Sequence, residues 1–239
     1  MTPVIYTLIV THITSILLAI YLHRGMSHGS LKFSKGFDHF CRFWLWLTDG
    51  VNIRDWMATH RRHHRFTDIP GDPHSPHLEG IKKIAWTNFW ETCYYRYRNY
   101  YPPEETKRYA FGAPDDWMEH NVYQPYQRCG LLIMLTINLI LFGWVGIAIW
   151  LIQVAWSPFW SSTVITGFCH WKIGYKHPHC KDGSRNIPFL APFLIGDEMH
   201  GNHHVKPYSA CLKYQPWEFD LGWWYIKLFA KLKWVIINE

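Results

Sequence analysis

The sequence carries the pattern His-x-x-His-His twice, and this repetition constrains the fold more than any other feature. The two triplets are His60, His63 and His64, and His200, His203 and His204. Residues three and four apart share one face of an α-helix, so each triplet presents its imidazoles to one side. A looser pair, His23 and His28, lies upstream. Eight clustered imidazoles exceed the needs of one tetrahedral zinc ion, and they indicate a site for two metal ions.

Any one of these clusters also has simpler explanations. Histidines grouped on a basic helix can be solvated, packed in a core, or bound to a single structural metal ion. The recurrence of the triplet favours a shared metal site over these explanations. The sequence has no His-Glu-x-x-His pattern, in which a glutamate serves as the base of a metalloprotease, so hydrolysis is not favoured.

The composition places the chain at a membrane interface. Aromatic residues make up 18% of the chain, and fifteen of them are tryptophans, which collect where lipid meets water. A net charge of +6 suits nucleic acid and anionic lipid equally well, and the apolar segments favour lipid. The tyrosine-rich and arginine-rich run at 94–101 is accordingly interpreted as an interfacial helix rather than a surface for nucleic acid. The six cysteines include no C-x-x-C pair, which argues against a zinc knuckle or a disulfide scaffold.

Three apolar segments predict membrane crossings. Residues 3–22 are about long enough to span a bilayer at roughly twenty residues per helix. The basic residues that follow them are Arg24, Lys32, Lys35 and Arg42. These charges place that end of the helix on the cytoplasmic side. Residues 130–143 and 146–167 predict a helical hairpin that returns the chain to the same side, although its first arm is short for a span.

We therefore predict an all-α integral membrane protein with about three spans, folded as a single domain over residues 1–239. The parts outside the membrane, residues 23–128 and 170–239, form a cytosolic helical cap that carries the histidine clusters. Two crossings by the hairpin keep the last triplet on the side of the first. His170 follows the hairpin at a cytoplasmic helix end, which makes it a ninth candidate ligand.

Two local expectations concern the segments beside the histidines. On an uninterrupted α-helix, His23 and His28 would be separated by about 140°. Gly25 and Gly29 could bend or end the helix, so the two rings are expected to serve different metals. Residues 40–53 predict a helix lying in the interface, and the turn-forming residues 67–74 should end the helix of the first triplet.

The spacing of the histidines resembles that of a known family. His-x4-His at 23–28 and the two triplets, with apolar segments between them, resemble the three histidine boxes of the membrane-bound fatty acid desaturases and hydroxylases. Further segments resemble bacterial desaturases that act at the ninth carbon of lipid-linked acyl chains. These segments lie at residues 43–48, 59–65, 71–76, 112–117 and 185–187.

The resemblance implies two iron ions, O2 as a co-substrate, and a cis double bond introduced into a saturated acyl chain. The implied ligands are His23, His28, His60, His63, His64, His170, His200, His203 and His204. Imidazole suits iron, although the ligand type alone does not exclude manganese or zinc. The sequence shows no fused haem domain and no ferredoxin-like set of cysteines, so the electrons are expected from a separate protein of ferredoxin or cytochrome type.

The chain departs from the family pattern at two positions that matter for function. Thr166 stands where the family has an asparagine that holds a metal-bound water, so its hydroxyl is a candidate for that role. Ala58 and Thr59 stand where the acyl-CoA desaturases have an Arg-Asp pair that meets the nucleotide, which argues against CoA as the carrier. A di-iron hydroxylase and an acyl-CoA desaturase stay as alternatives. A membrane metal carrier is remote, because it should place ligands within the spans.

Overall fold

The computed structural model describes residues 2–86 and 103–238, and helices predominate among them. The run at 94–101, predicted to be an interfacial helix, lies outside the described residues. Two short strands also occur among them.

The chain begins with a long apolar helix. Helix α1 spans Pro3–Leu17. Its N-terminus is capped by Thr2, which accepts a hydrogen bond from the Ile5 backbone, and proline occupies its first turn. It continues without a break into a π-helical segment, Leu18–Ser27. Of the part of the chain that the structure describes, Pro3–Ser27 is the one helix long and apolar enough to cross a membrane. The first predicted span, 3–22, lies within it.

A small antiparallel sheet joins distant parts of the chain. Strand β1 spans Leu31–Phe33 and pairs with β2, Val235–Ile237, so that Leu31 lies opposite Ile237. The prediction of an all-α fold is therefore wrong in this detail. Strands of three residues are too short to show an alternating pattern, and their pairing depends on a contact between distant segments.

Two helices lead from the sheet to the first triplet. Helix α2 spans Lys35–Thr48 and α3 spans Ile53–Phe66. The prediction of one helix over 40–53 is therefore wrong: α2 starts earlier, and a turn with Gly50 at a positive φ of 64° separates it from α3. Asn52 then caps α3 by accepting a hydrogen bond of 3.1 Å from the Asp55 backbone. Helix α3 ends directly before the turn residues 67–74, as predicted.

A short helix and two further segments connect α3 to the helical hairpin. Helix α4 spans Pro76–Glu79, residues 81–86 are also helical, and α5 spans Pro103–Tyr109. A π-helical turn, Glu119–Tyr123, precedes the hairpin.

The helical hairpin consists of α6, Gln127–Phe142, and α7, Val145–Pro158, which continues as a π-helix over Phe159–Gly167. Its arms approach so closely that a Cβ atom on Gly146 would overlap the Asn138 carbonyl. The buried Asn138 amide donates to Gln153 at 2.8 Å and accepts from the Tyr6 hydroxyl at 2.8 Å. These two bonds connect both arms of the hairpin to α1.

The last part of the chain packs against the π-helical end of the first helix. It contains a 3-10 turn, Pro188–Leu190, and three helices: α8, Ala191–Leu194; α9, His200–Val205; and α10, Leu221–Lys231. Arg24 is buried and pairs with Asp220 through two bonds of 2.9 and 3.1 Å. The main apolar core lies beside this ion pair. It includes Leu17, Ile20, Tyr21, Leu22, Leu45, Met57 and Ile226.

Candidate metal centre

The structure brings all nine candidate histidines into two neighbouring clusters. The five-histidine cluster consists of His23, His28, His60, His64 and His203. The four-histidine cluster consists of His63, His170, His200 and His204. Within each cluster, one ring nitrogen of every residue lies within 4.8 Å of the others. The clusters adjoin where the rings of His64 and His204 stack, with centroids 4.4 Å apart.

Each histidine triplet is divided between the clusters in the same way. Residues four apart stay together, and the histidine between them joins the other cluster. The pairs four apart are His60 and His64 in α3 and His200 and His204 in α9, and the residues between them are His63 and His203. Residues four apart on an α-helix lie one above the other, whereas the residue three positions after the first is rotated to the side. Helices α3 and α9 therefore each contribute to both clusters.

The pair His23 and His28 lies in a single cluster, so the expectation that they serve different metals is wrong. His23 belongs to the π-helical segment, and His28 ends it. A π-helix joins residues five apart by hydrogen bonds, which places such residues roughly above one another. The two ring centroids are accordingly 5.2 Å apart. Gly25 does not end the helix but allows close packing, because a Cβ atom there would overlap the Phe33 ring.

The ring nitrogens that face one another are close enough to share a cation. Nε2–Nε2 distances are 2.9 Å for His23–His203, 2.7 Å for His28–His60 and 3.2 Å for His63–His170. Two nitrogens bound at right angles to one metal, each at about 2.1 Å, would be about 3 Å apart. These three pairs of nitrogens therefore have the separation expected of two ligands of one metal ion.

The hydrogen bonds of His63 and His170 support the same conclusion. Each ring directs its Nδ1 toward a carboxylate, Asp72 for His63 and Asp68 for His170. A neutral imidazole has one N–H group, so a ring that donates from Nδ1 has a lone pair at Nε2. Two lone pairs that face each other repel unless a cation lies between them. The donor set fits a bound metal.

Burial keeps most of these histidines in the form that binds metal. Burial first, and then the neighbouring histidines, lower the pKa of six imidazoles well below the usual range. They are His28, His60, His64, His200, His203 and His204. At neutral pH these rings are uncharged, and an uncharged imidazole offers the lone pair that a metal ligand needs.

Four aspartates lie behind the histidines, and the sequence analysis did not identify them. They contact His Nδ1 atoms at 2.9 Å for Asp197–His23, 2.9 Å for Asp72–His63, 3.4 Å for Asp68–His170 and 3.1 Å for Asp182–His204. A carboxylate that is hydrogen-bonded to Nδ1, as Asp72, Asp68 and Asp182 are, fixes the orientation of the imidazole and increases its basicity. In the sequence, Asp68 and Asp72 are visible only as turn-forming residues.

Backbone N–H groups hold Asp68 and Asp72 in place. Asp72 accepts from the Asp68 backbone at 2.8 Å and from the His74 backbone at 3.1 Å. Asp68 accepts from the Gly183 backbone at 2.7 Å. Burial raises the pKa of the Asp72 carboxyl group, but the bond from His63 and the other hydrogen bonds outweigh it, so its pKa lies below the usual range.

Two loop histidines, His74 and His77, belong to neither of the two clusters. His74 lies beside His63 and Asp72, and burial followed by the charge of His63 lowers its pKa to about 3. His77 packs against Trp171, with ring centroids 5.4 Å apart. Among the described residues, His77 belongs to none of the groups that could hold a metal ion.

Thr166 lies in the π-helical end of the hairpin. Its hydroxyl donates to the Ser161 carbonyl at 2.9 Å, and the residue lines the cavity described next. A role in holding a metal-bound water stays a prediction.

A cavity of about 210 Å³ reaches both histidine clusters. His23 and His60 of one cluster and His63 and His200 of the other form part of its wall. Much of the remaining wall is apolar and includes Leu18, Ala19, Trp56, Trp156, Trp160, Ile165, Phe193 and Leu194. The cavity therefore brings a mainly apolar wall next to the candidate metal ligands.

The chain resembles known proteins over almost its whole length. A family model described as fatty acid desaturase matches residues 1–236. The chain is 32% identical over 229 residues to Delta-9 desaturase-like 3 protein of Arabidopsis thaliana, covering 92% of this chain and 71% of the relative. It is 29% identical over 226 residues to Delta-9 acyl-lipid desaturase 1 of the same plant, covering 92% and 70%. It is 30% identical over 220 residues to sn-1 stearoyl-lipid 9-desaturase of Synechocystis sp., covering 90% and 64%.

Proposed function

The chain belongs to the fatty acid desaturase family and is an oxidoreductase, and from this premise we propose that it introduces a cis double bond at the ninth carbon of a saturated, lipid-linked acyl chain. The observation that carries the proposal is the meeting of two histidine clusters with one mainly apolar cavity. Iron use is implied by the family, and we propose one iron ion for each cluster.

The residues that would hold iron are the nine histidines of the two clusters. When bound, the ions would supply oxidation by O2: with two electrons from an external donor and two protons, O2 would take one hydrogen from each of two adjacent methylene groups and leave as two water molecules. The protein positions these ligands: Asp72 holds His63 through a hydrogen bond of 2.9 Å, and Trp56 stacks on the His60 ring with centroids 4.8 Å apart. Burial of the clusters excludes bulk water from the reaction.

The cavity is suited to an acyl chain because its apolar wall replaces the water around the methylene groups. The relatives named as acyl-lipid or stearoyl-lipid desaturases support a lipid-linked substrate. The departure at Ala58 and Thr59 supports the same carrier. An acyl-CoA substrate is the second candidate, because a relative from Anemone leveillei is named Acyl-CoA 5-desaturase.

We propose a single domain with three spans, 3–22, 130–143 and 146–167, and a cytoplasmic cap formed by 23–128 and 170–239. Exposed apolar side chains on the three helices and in the turn of the hairpin support contact with lipid. They include Val4, Leu8, Ile140, Trp144 and Leu151. The positive charges after the first helix support the cytoplasmic face as the position of the histidines. An electron donor of ferredoxin or cytochrome type would dock on that side.

The proposal is tested by analysing the acyl chains of a host that expresses this protein. Double bonds and hydroxyl groups are located by gas chromatography and mass spectrometry after derivatisation. We expect a new monoene with the unchanged protein and none with His203→Ala. The matched control is His177→Ala, since His177 is also buried but packs on Tyr214, with centroids 4.1 Å apart, outside both clusters. This control should retain the monoene.

Other products lead to definite conclusions. A hydroxy acid in place of the monoene would identify a hydroxylase, and a double bond confined to acyl-CoA would identify the other carrier. Purified protein that binds two iron ions, receives electrons from an added ferredoxin system and still converts no acyl-lipid or acyl-CoA would contradict the proposal.

A further inference from the structure

The carboxylates behind the histidines are distributed unequally between the clusters. Among the described residues, Asp68, Asp72 and Asp182 face histidines of the four-histidine cluster. Asp197 faces His23 of the five-histidine cluster. The cluster with fewer imidazoles therefore has three carboxylates in contact with its ligands, and the cluster with more imidazoles has one.

The one carboxylate of the five-histidine cluster is also shared with a cation. Asp197 Oδ1 lies 3.8 Å from Nη2 of the buried Arg24. By contrast, the salt bridges of Asp68, Asp72 and Asp182 join them to histidine alone among the described residues. Because Arg24 offsets part of the charge of Asp197, the five-histidine cluster has even less negative charge available to a metal ion than its single aspartate suggests.

Charge compensation determines how stable a buried dication is. A divalent ion in a dry site costs free energy unless nearby negative charge offsets its own. Three carboxylates offset the two charges of such an ion at the four-histidine cluster, whereas one carboxylate does not at the five-histidine cluster. Each carboxylate that accepts from a ligand N–H also strengthens the bond of that ligand to the metal, by about 10–100-fold in affinity. The fifth imidazole adds a neutral donor and no charge.

We propose that the two metal positions are unequal, and that the four-histidine cluster holds its iron more tightly because Asp68, Asp72 and Asp182 position and polarise its ligands. The inference rests on the proposed function only in taking iron as the metal. It assigns the aspartates a positioning role, since they act through the histidines.

The test compares iron release from one variant of each cluster. Asp182→Asn and Asp197→Asn preserve side-chain shape but remove the charge opposite His204 and His23. Purified full-length protein loaded with ferrous iron is mixed with the chelator ferrozine, and release is followed with time. The unchanged protein should release one iron rapidly and one slowly. Asp182→Asn should accelerate the slow phase by about 10–100-fold, and Asp197→Asn should accelerate only the fast phase.

A spectroscopic readout separates positioning from general loosening of the fold. Chelation is stopped when the fast phase of each protein is complete, which leaves the slowly released iron in place, and its Mössbauer quadrupole splitting is then measured with isotopically enriched iron. The splitting should change in Asp182→Asn and stay unchanged in Asp197→Asn. The control is Asp116→Asn, which also removes a carboxylate from a buried cation, Arg42, and involves none of the nine histidines. It should leave both release phases and the spectrum unchanged.

The inference and the proposed function fail in different ways. Release of both irons in one phase would overturn the inference and leave the function intact. The same holds if Asp182→Asn acts on the fast phase, if neither variant changes release, or if Asp116→Asn accelerates it equally. Protein that takes up no iron would overturn the proposed function and the inference together.

Discussion

At the scale of single residues, Asp55 places a carboxyl group in the wall of the mainly apolar cavity. Burial raises its pKa to about 6, and the charge of Arg54 only partly opposes this effect. The folded state therefore binds a proton more tightly than the unfolded state does, and this contribution to stability is complete below the unfolded pKa. It is lost as the pH rises from about 4 to about 6.

We predict that Asp55→Asn removes this loss, because an amide carries no charge at any pH. The variant should exceed the unchanged protein in free energy of unfolding, and this difference should be larger at pH 7.5 than at pH 4 by about 2–3 kcal/mol. Thermal unfolding of metal-free protein in detergent at each pH measures the effect. Asp115→Asn is the control, since the hydrogen bond with His120 lowers the pKa of this exposed carboxyl group, so its replacement should give no gain at pH 7.5. An equal effect of Asp55→Asn at both pH values would contradict the prediction.

The candidate ligands could be predicted from the sequence because histidines three and four apart share a helix face, and because the triplet recurs. The aspartates could not be predicted in this way. Asp182 and His204 are brought together by the fold and by no spacing along the chain. Asp197 lies close to His200 in sequence but contacts His23. A carboxylate that supports a ligand is recognisable only when the partner of each Nδ1 atom is known.

At the scale of helices, the interruption of α-helical geometry determines where the first histidine pair lies. An α-helix would have rotated His28 away from His23, whereas the π-helical segment brings them together. Sequence periodicity assumes a fixed number of residues per turn, so it predicted the wrong relationship. Another π-helical segment, Phe159–Gly167, places Thr166 in the wall of the cavity beside the clusters.

The close approach of the hairpin arms gives a prediction at the same scale. Gly146→Ala should destabilise the protein by about 1–3 kcal/mol, because the added methyl group overlaps the Asn138 carbonyl and separates the arms. Gly36→Ala is the matched control in α2. A Cβ atom there has nothing within 4 Å, and alanine should raise helix stability by up to about 1 kcal/mol. Thermal unfolding in detergent compares the two variants, and equal stability would contradict the prediction.

At the scale of the whole molecule, helices from distant parts of the sequence enclose one cavity. Its wall combines residues of the first helix, α3, the π-helical end of the hairpin and α8. The hairpin and the position of its turn could be predicted from the apolar segments. The small sheet could not, since its strands contain three residues each and lie about two hundred residues apart.

The cavity gives a prediction that separates substrate binding from metal binding. Ser161→Phe should fill the cavity and lower desaturation at least about 10-fold, because the acyl chain competes with the new ring for the same volume. Iron content should stay at the level of the unchanged protein, since Ser161 is none of the nine histidines. Product analysis and elemental analysis on the same preparation measure both quantities.

The matched control for the cavity is Thr136→Phe on the outer face of α6. Both hydroxyl groups donate to the carbonyl four residues earlier, Ser161 to Ser157 at 2.7 Å and Thr136 to Leu132 at 2.9 Å. Thr136 is exposed and does not line the cavity. Its variant should therefore keep normal activity. Loss of activity in both variants, or loss of iron in Ser161→Phe, would count against the assignment of the cavity to substrate.

The pairing of β1 with β2 has a consequence for the biosynthesis of the protein. Asn238 donates from its backbone to Ser30 at 2.9 Å and from its side chain to Gly29 at 2.7 Å, so it secures the turn that directly follows His28. The ribosome makes this residue long after the histidines themselves. The turn beside the five-histidine cluster therefore gains these contacts only after residues 235–238 have left the ribosome, so it is secured later than the histidines of the cluster are made.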